Sequence, residues 1–413
     1  MSTEHIGVAD AVVIGAGAPG TSTAYHLADR GRRVMLVDRS AAVSQTSPRA
    51  AGLALQIQAD EPLARIAIRS IEMMLRFERD TGHPLTVHQW GSIKVARTEG
   101  DERQVHEEIE RGRSLGVDVD LIDGGRARTL APWLDPATAV AMWYSPGDLF
   151  LEPGDLPRAY EAAFLKRGGR IVEHAEVTGF EIGTGGIEAV STSRGTIEAP
   201  AVVIAAGAWS RKVGELAGAR LPLWPIRHQL LVTEPLREVA DGQPSVRIMD
   251  AKTYTRPERG GLMFGAYEPD PLQLDMRSEP SSFEIADVPI DERPLRAKIA
   301  EVERELPALR TARVAEVRGG LPTMTPDGHF LVDRLPGVSW CYAITGCNVG
   351  GLSTSPALGH DLADWMVTGE RPPSIEPFSL DRFGPDYDDE DRLRAACFAT
   401  YAHKYGEDET VAH

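Results

Sequence analysis

The residues with the clearest chemical meaning in the sequence are three glycines near its start. In VVIGAGAPG, Gly15, Gly17 and Gly20 follow a short apolar run and precede a segment of helical periodicity. This Gly-x-Gly-x-x-Gly spacing predicts a strand, a tight turn and a helix N-terminus, whose backbone N–H groups and dipole bind an anion such as a pyrophosphate. Ala18 and Pro19 fall in the first helical turn, where proline is tolerated because no amide donor is needed there.

The next apolar run, RRVMLVDRS, contains Asp38 and Arg39 at its end. The glycines alone are also compatible with a tight strand–helix turn that binds nothing. An acidic side chain about 20 residues after them, at the end of a second strand, accepts hydrogen bonds from the ribose hydroxyls of an adenosine. The two features together predict a dinucleotide-binding fold, with NAD and FAD as the alternatives.

A late glycine-rich segment, ITGCNVGGLSTSPALGHDLADWM, favours FAD. It predicts another strand, turn and helix far along the chain from the first, whereas an NAD-binding domain usually continues with consecutive strand–helix units. The positive end of its helix can face an electron-rich ring system. We therefore expect FAD to extend through the protein, with its adenine end at residues 14–40 and its isoalloxazine near residues 46–53 and 346–353.

Charge and composition restrict the class of protein. The 413 residues include 44 Lys and Arg against 61 Asp and Glu, a formal net charge of −17, which argues against nucleic acids and anionic membranes as partners. Cys341, Cys347 and Cys397 form no Cys-x-x-Cys pattern, and the sequence shows neither a signal peptide nor an apolar run of about 20 residues. No His, Cys and Asp cluster has the spacing of metal ligands. We expect a cytoplasmic protein that holds no metal.

Two kinds of sequence alternate along the chain and predict two interleaved domains. Residues 225–318 contain short strands separated by Pro, Gly and Asp, as in antiparallel sheets, and nucleotide-type segments lie on both sides of them. The predicted fold is mixed α/β. It comprises a Rossmann-type FAD-binding domain (residues 1–80, 145–222 and 320–372), an antiparallel-sheet substrate domain (81–144 and 223–319) and a C-terminal tail packed on the body (373–413).

Longer motifs make the sequence resemble a known family, the D-amino-acid oxidase superfamily of flavoproteins, and within it the flavin domain of sarcosine and dimethylglycine dehydrogenases. The segments that carry this resemblance are VVIGAGAPGTSTAYHLADRG, SPRAAGL, HQLLVTE, GLMFGAYEPDP, TPDGHFLVD and ITGCNVGGLSTSPALGHDLADWM. The resemblance covers essentially the whole chain, and its most specific part is HQLLVTE together with GLMFGAYEPDP.

The resemblance implies an FAD-dependent enzyme that oxidises the C–N bond of a secondary or tertiary N-methyl amine or amino acid. The imine product would be hydrolysed to formaldehyde and the demethylated amine. Two alternatives stay open: an FAD enzyme acting on another amino acid or a 2-hydroxy acid, and a non-catalytic flavin subunit that relays electrons within a complex. The expected partners are a small amine substrate and an electron-acceptor protein or quinone.

His228 and Tyr254 are the predicted catalytic residues, because the resemblance places them beside the flavin. A histidine with a pKa near 6.5 can hold or deprotonate a substrate ammonium. The alternative for His228 is a purely structural role in its strand, and the alternative for Tyr254 is packing on the sheet with a solvated hydroxyl.

Four further positions concern the flavin and the substrate. Related dehydrogenases carry a flavin-bonded histidine where this chain has Arg49, and monomeric sarcosine oxidases carry a flavin-bonded cysteine where it has Gly320, so the resemblance implies noncovalent FAD. Arg49 is expected to pair with the flavin or with a substrate carboxylate, and Arg256 is a second carboxylate candidate. Met263 is predicted near the substrate, at the place of an oxidase lysine, which implies a dehydrogenase rather than an oxidase.

The predicted FAD-binding residues cluster around the two glycine-rich turns and the segments expected between them. They are Gly15, Gly17, Ala18, Pro19, Gly20, Asp38, Arg39, Thr46, Ser47, Arg49, Ala51, Gly52, Leu53, Val177, Ala206, Gly207, Trp209, Gly346, Asn348, Gly350, Gly351, Leu352 and Ser353.

Overall fold

The computed structural model describes residues 4–403, and within them it contains ten α-helices and 22 β-strands. The helices are α1 Ala18–Asp29, α2 Glu61–Leu75, α3 Phe77–Thr81, α4 Glu99–Ser114, α5 Gly124–Leu130, α6 Asp155–Lys166, α7 Ser210–Leu216, α8 Glu292–Glu301, α9 Gly351–Thr368 and α10 Glu390–Ala402. The strands are β1 His5–Val8, β2 Ala11–Ile14, β3 Val34–Val37, β4 Leu53–Ala54, β5 Ser92–Ala96, β6 Asp120–Leu121, β7 Ala141–Ser145, β8 Leu149–Phe150, β9 Arg170–Val172, β10 Val177–Gly183, β11 Gly186–Thr192, β12 Gly195–Glu198, β13 Val202–Ile204, β14 Trp224–Pro225, β15 His228–Thr233, β16 Ser245–Ile248, β17 Thr253–Glu258, β18 Gly261–Ala266, β19 Val314–Gly320, β20 Thr323–Met324, β21 Leu331–Arg334 and β22 Cys341–Thr345.

A six-stranded sheet of order β21-β22-β13-β2-β3-β9 forms the centre of the nucleotide-type part. All of its strand pairs are parallel except β21 with β22. Strands β2 and β3 contain only apolar residues and are buried throughout, as expected for parallel strands that are covered on both faces. Helices α1, α6 and α9 pack together on one face of this sheet.

Close approach of α1 and α9 depends on small residues at their contact. A Cβ at Gly359 of α9 would lie 2.5 Å from the Ser22 hydroxyl oxygen of α1. The opposite face of the six-stranded sheet packs against the sheet β1-β12-β11-β10 through a second apolar cluster. Both glycine-rich turns therefore belong to helices that lie side by side on one face of the parallel sheet.

The second large sheet has eight strands in the order β19-β15-β18-β17-β16-β5-β7-β6. Its strands come from residues 92–145 and 228–320, and every pair is antiparallel except β5 with β16, which is parallel. The sequence predicted a fully antiparallel sheet, so this pair is a correction. Strand β16 pairs with β5, which comes from a separate, earlier segment of the chain, and the two strands run in the same direction. The mixed α/β class predicted from the sequence is confirmed.

Residues 373–403 run over the surface as short 3₁₀ turns and end in α10. Leu393, Cys397 and Tyr401 of α10 are buried against an apolar cluster of the body. Residues 1–3 of the predicted FAD domain and residues 404–413 of the predicted tail lie outside the described residues. Among the helices of residues 4–403, none has both the length and the apolar character needed to cross a membrane.

Candidate cofactor and active site

A large cavity runs from the glycine turn after β2 to the face of the eight-stranded sheet. The predicted residues that line it are Gly15, Gly17, Ala18, Pro19, Asp38, Arg39, Thr46, Ser47, Arg49, Ala51, Gly52, Leu53, Val177, Ala206, Gly207, Trp209, His228, Tyr254, Asn348, Gly350, Gly351, Leu352 and Ser353. Four predicted residues are not part of the lining: Gly20, Gly346, Arg256 and Met263. The cavity thus brings together segments that are far apart in the chain.

The first glycine turn is shaped by close backbone contacts. Gly15 has φ +106°, and a Cβ there would lie 2.4 Å from the carbonyl oxygen of Ala205. A Cβ at Gly20 would lie 1.8 Å from the Gly15 carbonyl oxygen, so Gly20 serves helix–strand packing and stays behind the cavity wall. Gly17 is the N-cap of α1 and supplies no capping side chain. The Ser47 hydroxyl accepts a hydrogen bond from the Ala18 backbone N–H (3.0 Å), and the positive end of the helix lies at the cavity, where it favours an anion.

Asp38 lies at the end of β3, where its carboxylate accepts hydrogen bonds from the backbone N–H groups of Ala16 (2.7 Å) and Ser40 (2.8 Å). Burial raises the pKa of Asp38 to about 6. The guanidinium of the neighbouring Arg39 lies 4.5 Å from the ring centre of Trp209, and both residues line the same end of the cavity. A carboxylate at this place can accept hydrogen bonds from ribose hydroxyls, which suits the adenosine end of a dinucleotide.

The second glycine-rich turn places the N-terminus of α9 at the cavity. The N-cap is Gly350, again without a capping side chain, and residues 350–353 line the cavity. Asn348 holds the turn through its side-chain amide, which donates to the carbonyl oxygens of His329 (2.9 Å) and Gly346 (2.7 Å). Gly346 has φ +63° and lies behind this turn. The positive end of α9 therefore faces the cavity, where it suits the electron-rich edge of an isoalloxazine.

Arg49 and Gly320 both line the cavity, and Gly320 lies close to Thr46 in the loop that carries Arg49. The Arg49 guanidinium donates to the carbonyl oxygens of Ser44 and Gln45, so it holds the loop that carries it as well as lining the cavity. A Cβ at Gly320 would lie 3.0 Å from the Thr46 Cγ2 atom. Gly320 has no side chain and the Arg49 guanidinium is not a nucleophile, so neither residue can form the covalent flavin bond.

His228 and Tyr254 meet at the part of the cavity formed by the eight-stranded sheet. The His228 Nε2 atom lies 2.6 Å from the Tyr254 hydroxyl, and the Nδ1 atom lies 2.7 Å from the hydroxyl of Tyr401 in α10. Burial lowers the pKa of His228 to about 4, so the ring is neutral at physiological pH. The Tyr267 ring centre lies 4.8 Å from that of His228. Two tyrosines that the sequence did not single out, Tyr267 and Tyr401, thus complete the cluster.

Tyr254 reaches His228 because its cross-strand neighbour is a glycine. Gly265 pairs with Tyr254 between β17 and β18, and a Cβ at Gly265 would lie 2.1 Å from the Tyr254 Cζ atom. Any larger residue at this position would displace the ring. The glycine of the GLMFGAYEP motif therefore positions a side chain on the neighbouring strand.

Arg256 and Met263, which were predicted to bind substrate, are buried behind the wall. The Arg256 guanidinium is 1% exposed and donates to the carbonyl oxygens of Ala51 (2.7 Å) and Pro257 (2.9 Å). It also forms an ion pair with Glu258 at 2.9 Å. Met263 is fully buried in an apolar cluster. These contacts give both residues structural roles instead of contacts with a ligand.

A different arginine, Arg247, lines the cavity. It lies directly opposite Tyr254 in the β16–β17 pair and beside Lys94 in the β5–β16 pair. Its guanidinium is 5.3 Å from the ring centre of Trp143. The sequence analysis missed Arg247 because only the strand register shows that it shares a face and a row with Tyr254.

The floor beneath Arg247 is a buried polar network. Glu108 of α4 forms an ion pair with Lys94 and accepts a hydrogen bond from the Trp143 indole N–H (2.9 Å). Burial alone would raise the pKa of Glu108, but the Lys94 ammonium and these hydrogen bonds hold it below its usual value. The ionised Glu108 balances the positive charge that Lys94 and Arg247 bring into this part of the protein.

Comparison with known proteins agrees with this geometry. Residues 10–365 match the family described as FAD dependent oxidoreductase. The chain is 30% identical over 387 residues to the mitochondrial dimethylglycine dehydrogenase of Mus musculus, covering 91% of this chain and 44% of the relative. It is 27% identical over 405 residues to the mitochondrial sarcosine dehydrogenase of Mus musculus, covering 96% of this chain and 44% of the relative.

The chain thus spans less than half the length of these two relatives. Among solved structures, the L-proline dehydrogenase from P. horikoshii superimposes with a TM-score of 0.81 at 24% identity, covering 93% of this chain and 98% of that chain. This likeness supports the fold. With the glycine turn, Asp38 and the cavity in place, the match over most of the sequence shows that the chain belongs to the family of FAD-dependent oxidoreductases.

Proposed function

We propose that this chain oxidises the C–N bond of a secondary or tertiary N-methyl amino acid. The observation that carries the proposal is that the His228–Tyr254 pair lines the same cavity as the dinucleotide turn and Asp38. The family match supports FAD chemistry on an amine or amino acid, and the similarity to dimethylglycine and sarcosine dehydrogenases supports an N-methyl group as the site of oxidation.

Arg247 and Tyr254 would bind the substrate carboxylate. They are cross-strand neighbours, both line the cavity, and a guanidinium together with a phenol hydroxyl can hold both oxygens of a carboxylate. The net charge of −17 gives the protein no general attraction for anions, so a local cation is needed for this purpose. Arg247 takes the role that the sequence analysis assigned to Arg256.

His228 would act on the substrate through Tyr254, because both of its ring nitrogens are hydrogen-bonded to tyrosine hydroxyls. A bound FAD supplies the two-electron acceptor for the C–H bond next to nitrogen. A secondary amine would lose a hydride equivalent and a proton to become an imine, and a tertiary amine would lose a hydride equivalent to become an iminium ion. Addition of water to either product then releases formaldehyde and the demethylated amine. The His228 ring is neutral, so the unprotonated amine that the reaction requires would be favoured by desolvation in the cavity rather than by this histidine.

We further propose that FAD is noncovalently bound, because Arg49 and Gly320 replace both usual attachment residues. Acid precipitation should release the flavin into the supernatant, and flavin retained in the pellet would contradict this part. Met263, at the place where the resemblance implies an oxidase lysine, brings no charge, so an electron-acceptor protein or quinone is the expected oxidant of the reduced enzyme rather than oxygen.

An anaerobic screen tests the proposed reaction. FAD-loaded protein is mixed with N-methyl amino acids, their unmethylated counterparts and 2-hydroxy acids, and the flavin absorbance and the released formaldehyde are measured. We expect bleaching and formaldehyde only with N-methyl amino acids. Bleaching by an unmethylated amino acid or a hydroxy acid would establish the alternative substrate class, and bleaching by none of them would favour a non-catalytic flavin subunit.

A further inference from the structure

Both ring nitrogens of His228 are occupied by tyrosine hydroxyls, Tyr254 at Nε2 (2.6 Å) and Tyr401 at Nδ1 (2.7 Å). A neutral imidazole carries one N–H, so one nitrogen donates and the other accepts. The direction of these two hydrogen bonds decides whether Tyr254 offers its proton to His228 or to the cavity. Whether Tyr254 can donate a hydrogen bond to the substrate therefore depends on the hydrogen bond between Tyr401 and the Nδ1 atom of His228.

The surroundings of Tyr401 determine this choice. Burial, together with the nearby Glu268 carboxylate, raises the pKa of Tyr401 well above its usual value, so its hydroxyl keeps its proton. The Tyr401 hydroxyl is fully buried, and it lies 2.7 Å from His228 Nδ1. If Nδ1 carried the proton and donated to this oxygen, the Tyr401 proton would be buried away from its acceptor, so the arrangement favours donation from Tyr401 to an unprotonated Nδ1.

We propose that Tyr401 of the C-terminal helix is a positioning residue that keeps the proton of His228 on Nε2 and so makes Tyr254 a hydrogen-bond donor toward the cavity. His228 Nε2–H then donates to the Tyr254 oxygen, and such chains of hydrogen bonds polarise one another. The proton of Tyr254 is directed to the side of the cavity where Arg247 lies across the strand pair. This inference rests on the proposed function only for the identity of the acceptor, the substrate carboxylate.

The C-terminal helix is held firmly enough to serve this purpose. At its start, Glu390 forms ion pairs with Arg211 (2.6 Å), Arg220 (2.8 Å) and Arg277 (2.8 Å). These arginines come from three different places in the body, so the helix start is fixed from several sides. The ion pairs and hydrogen bonds hold the pKa of Glu390 at about 2, although burial alone would raise it.

Three further contacts fix the end of the helix close to Tyr401. The Cys397 thiol donates to the Met324 carbonyl oxygen (3.2 Å), and the Thr400 hydroxyl donates to the Pro326 carbonyl oxygen (2.8 Å). The Lys252 ammonium donates to the carbonyl oxygen of Ala402 at the last turn (2.8 Å). A helix held at both ends places the Tyr401 hydroxyl reproducibly against the ring of His228.

The tautomer of His228 can be measured without any substrate. In FAD-loaded protein with ¹⁵N-labelled histidine, long-range proton–nitrogen NMR spectra distinguish protonated from unprotonated ring nitrogens, and the His228 signals are those lost in His228→Ala. We expect an unprotonated Nδ1 and a protonated Nε2 in the wild type. In Tyr401→Phe, we expect part of the population to carry the proton on Nδ1. A protonated Nδ1 in the wild type, or an unchanged tautomer in Tyr401→Phe, would overturn the proposal.

Kinetics separate this role from simple packing. Tyr401→Phe should lower kcat/KM for an N-methyl amino acid by about 2- to 10-fold, the worth of one neutral hydrogen bond, mainly through KM because the carboxylate is bound throughout the reaction. The change should add nothing in a His228→Ala background. Arg394→Ala, which removes an exposed ion pair with Asp391 on the same helix, should leave both the tautomer and KM unchanged.

An equal loss from Tyr401→Phe with and without His228 would show that Tyr401 does not act through the histidine. The NMR readout stands even if no N-methyl amine reduces the flavin, so failure of the proposed reaction and failure of the tautomer inference give different results.

Discussion

The nucleotide end of the cavity and the end that we propose for the substrate, called the amine end, are built in different ways. At the nucleotide end, the glycine turn and Asp38 lie within one strand–helix–strand unit, and α1 and β3 flank them directly. At the amine end, Arg247, Tyr254 and His228 come from three different strands, and Tyr401 comes from the last helix. The first region is defined by local sequence and the second by the pairing of distant segments. Each prediction below probes one side of this comparison.

The two arginines of the eight-stranded sheet provide the largest contrast. Arg256 is buried in an ion pair with Glu258, so Arg256→Met should lower the free energy of unfolding by about 3 kcal/mol, the lower end of the range for a broken buried pair, because Arg318 still faces Glu258. Thermal or urea unfolding of the purified protein measures this loss. Full stability in Arg256→Met, or a specific loss of substrate affinity, would return Arg256 to the ligand site.

Arg247→Met should instead affect substrate binding. The change removes hydrogen bonds to a charged carboxylate, each worth about 1.5–3 kcal/mol, which corresponds to about 10- to 150-fold in kcat/KM. Flavin reduction is measured with an N-methyl amino acid and, as the control, with its carboxamide. The variant should lose activity on the acid and lose little on the amide. Equal losses on both compounds would argue against a carboxylate contact at Arg247.

Asp38→Ala tests the nucleotide end. Losing the ribose acceptor should weaken FAD binding by about 1.5–3 kcal/mol, since a charged hydrogen-bond partner is removed. The FAD dissociation constant is obtained from fluorescence titration of the apoprotein. Asp10→Ala is a matched control, because Asp10 lies just before β2 and pairs with Arg33 away from the cavity lining. If the two variants retain FAD equally well, Asp38 does not hold the cofactor.

The smallest expected effect concerns the pH dependence of the stability of the fold, through a histidine that is not part of the cavity lining. His329 lies 2.7 Å from Asp60, the N-cap residue of α2, and 3.7 Å from Asp327. Hydrogen bonds that the His329 ring donates to Asp327 and Asp60 raise the pKa of His329 from 6.5 to about 9. The protonated ring therefore stabilises the fold fully below pH 6.5, and this contribution decreases as the pH rises toward 9.

The melting temperature should accordingly decrease by a few degrees between pH 6.5 and 9 in the wild type, and less in His329→Asn. Each kcal/mol corresponds to only about 2–4 °C for a large domain, so the shift is small. Identical pH profiles for the two proteins would show that His329 does not carry this effect.

Much of the nucleotide end could be predicted from sequence because its residues are neighbours in the chain. The spacing of Gly15, Gly17 and Gly20 and the position of Asp38 are properties of one short segment. Gly20 was nevertheless assigned to the cofactor, whereas it packs α1 against the turn. Spacing identifies the turn, but it does not separate a glycine needed for a ligand from one needed for packing.

The amine end could be predicted only in part. The sequence analysis predicted His228 and Tyr254 through resemblance and offered Arg256 as a carboxylate candidate, but it did not consider Arg247 in the adjacent strand. Arg256 shares a sheet face with Tyr254, but its contacts with Ala51 and Glu258 keep it out of the cavity lining. The register of β16 and β17 places Arg247 opposite Tyr254, and neither the register nor these contacts are visible in a single sequence. Tyr401 was missed because no local pattern links the last helix to a histidine 173 residues away.

The most direct test of the account is the rate of flavin reduction in a single turnover without oxygen. It is measured by rapid mixing of FAD-loaded protein with an N-methyl amino acid. The wild type should be reduced with release of formaldehyde. His228→Ala should bind FAD normally but be reduced about 10- to 100-fold more slowly, because the hydrogen bonds that orient Tyr254 and Tyr401 are lost. Equal reduction rates in the two proteins would contradict the assignment of the amine end as the active site.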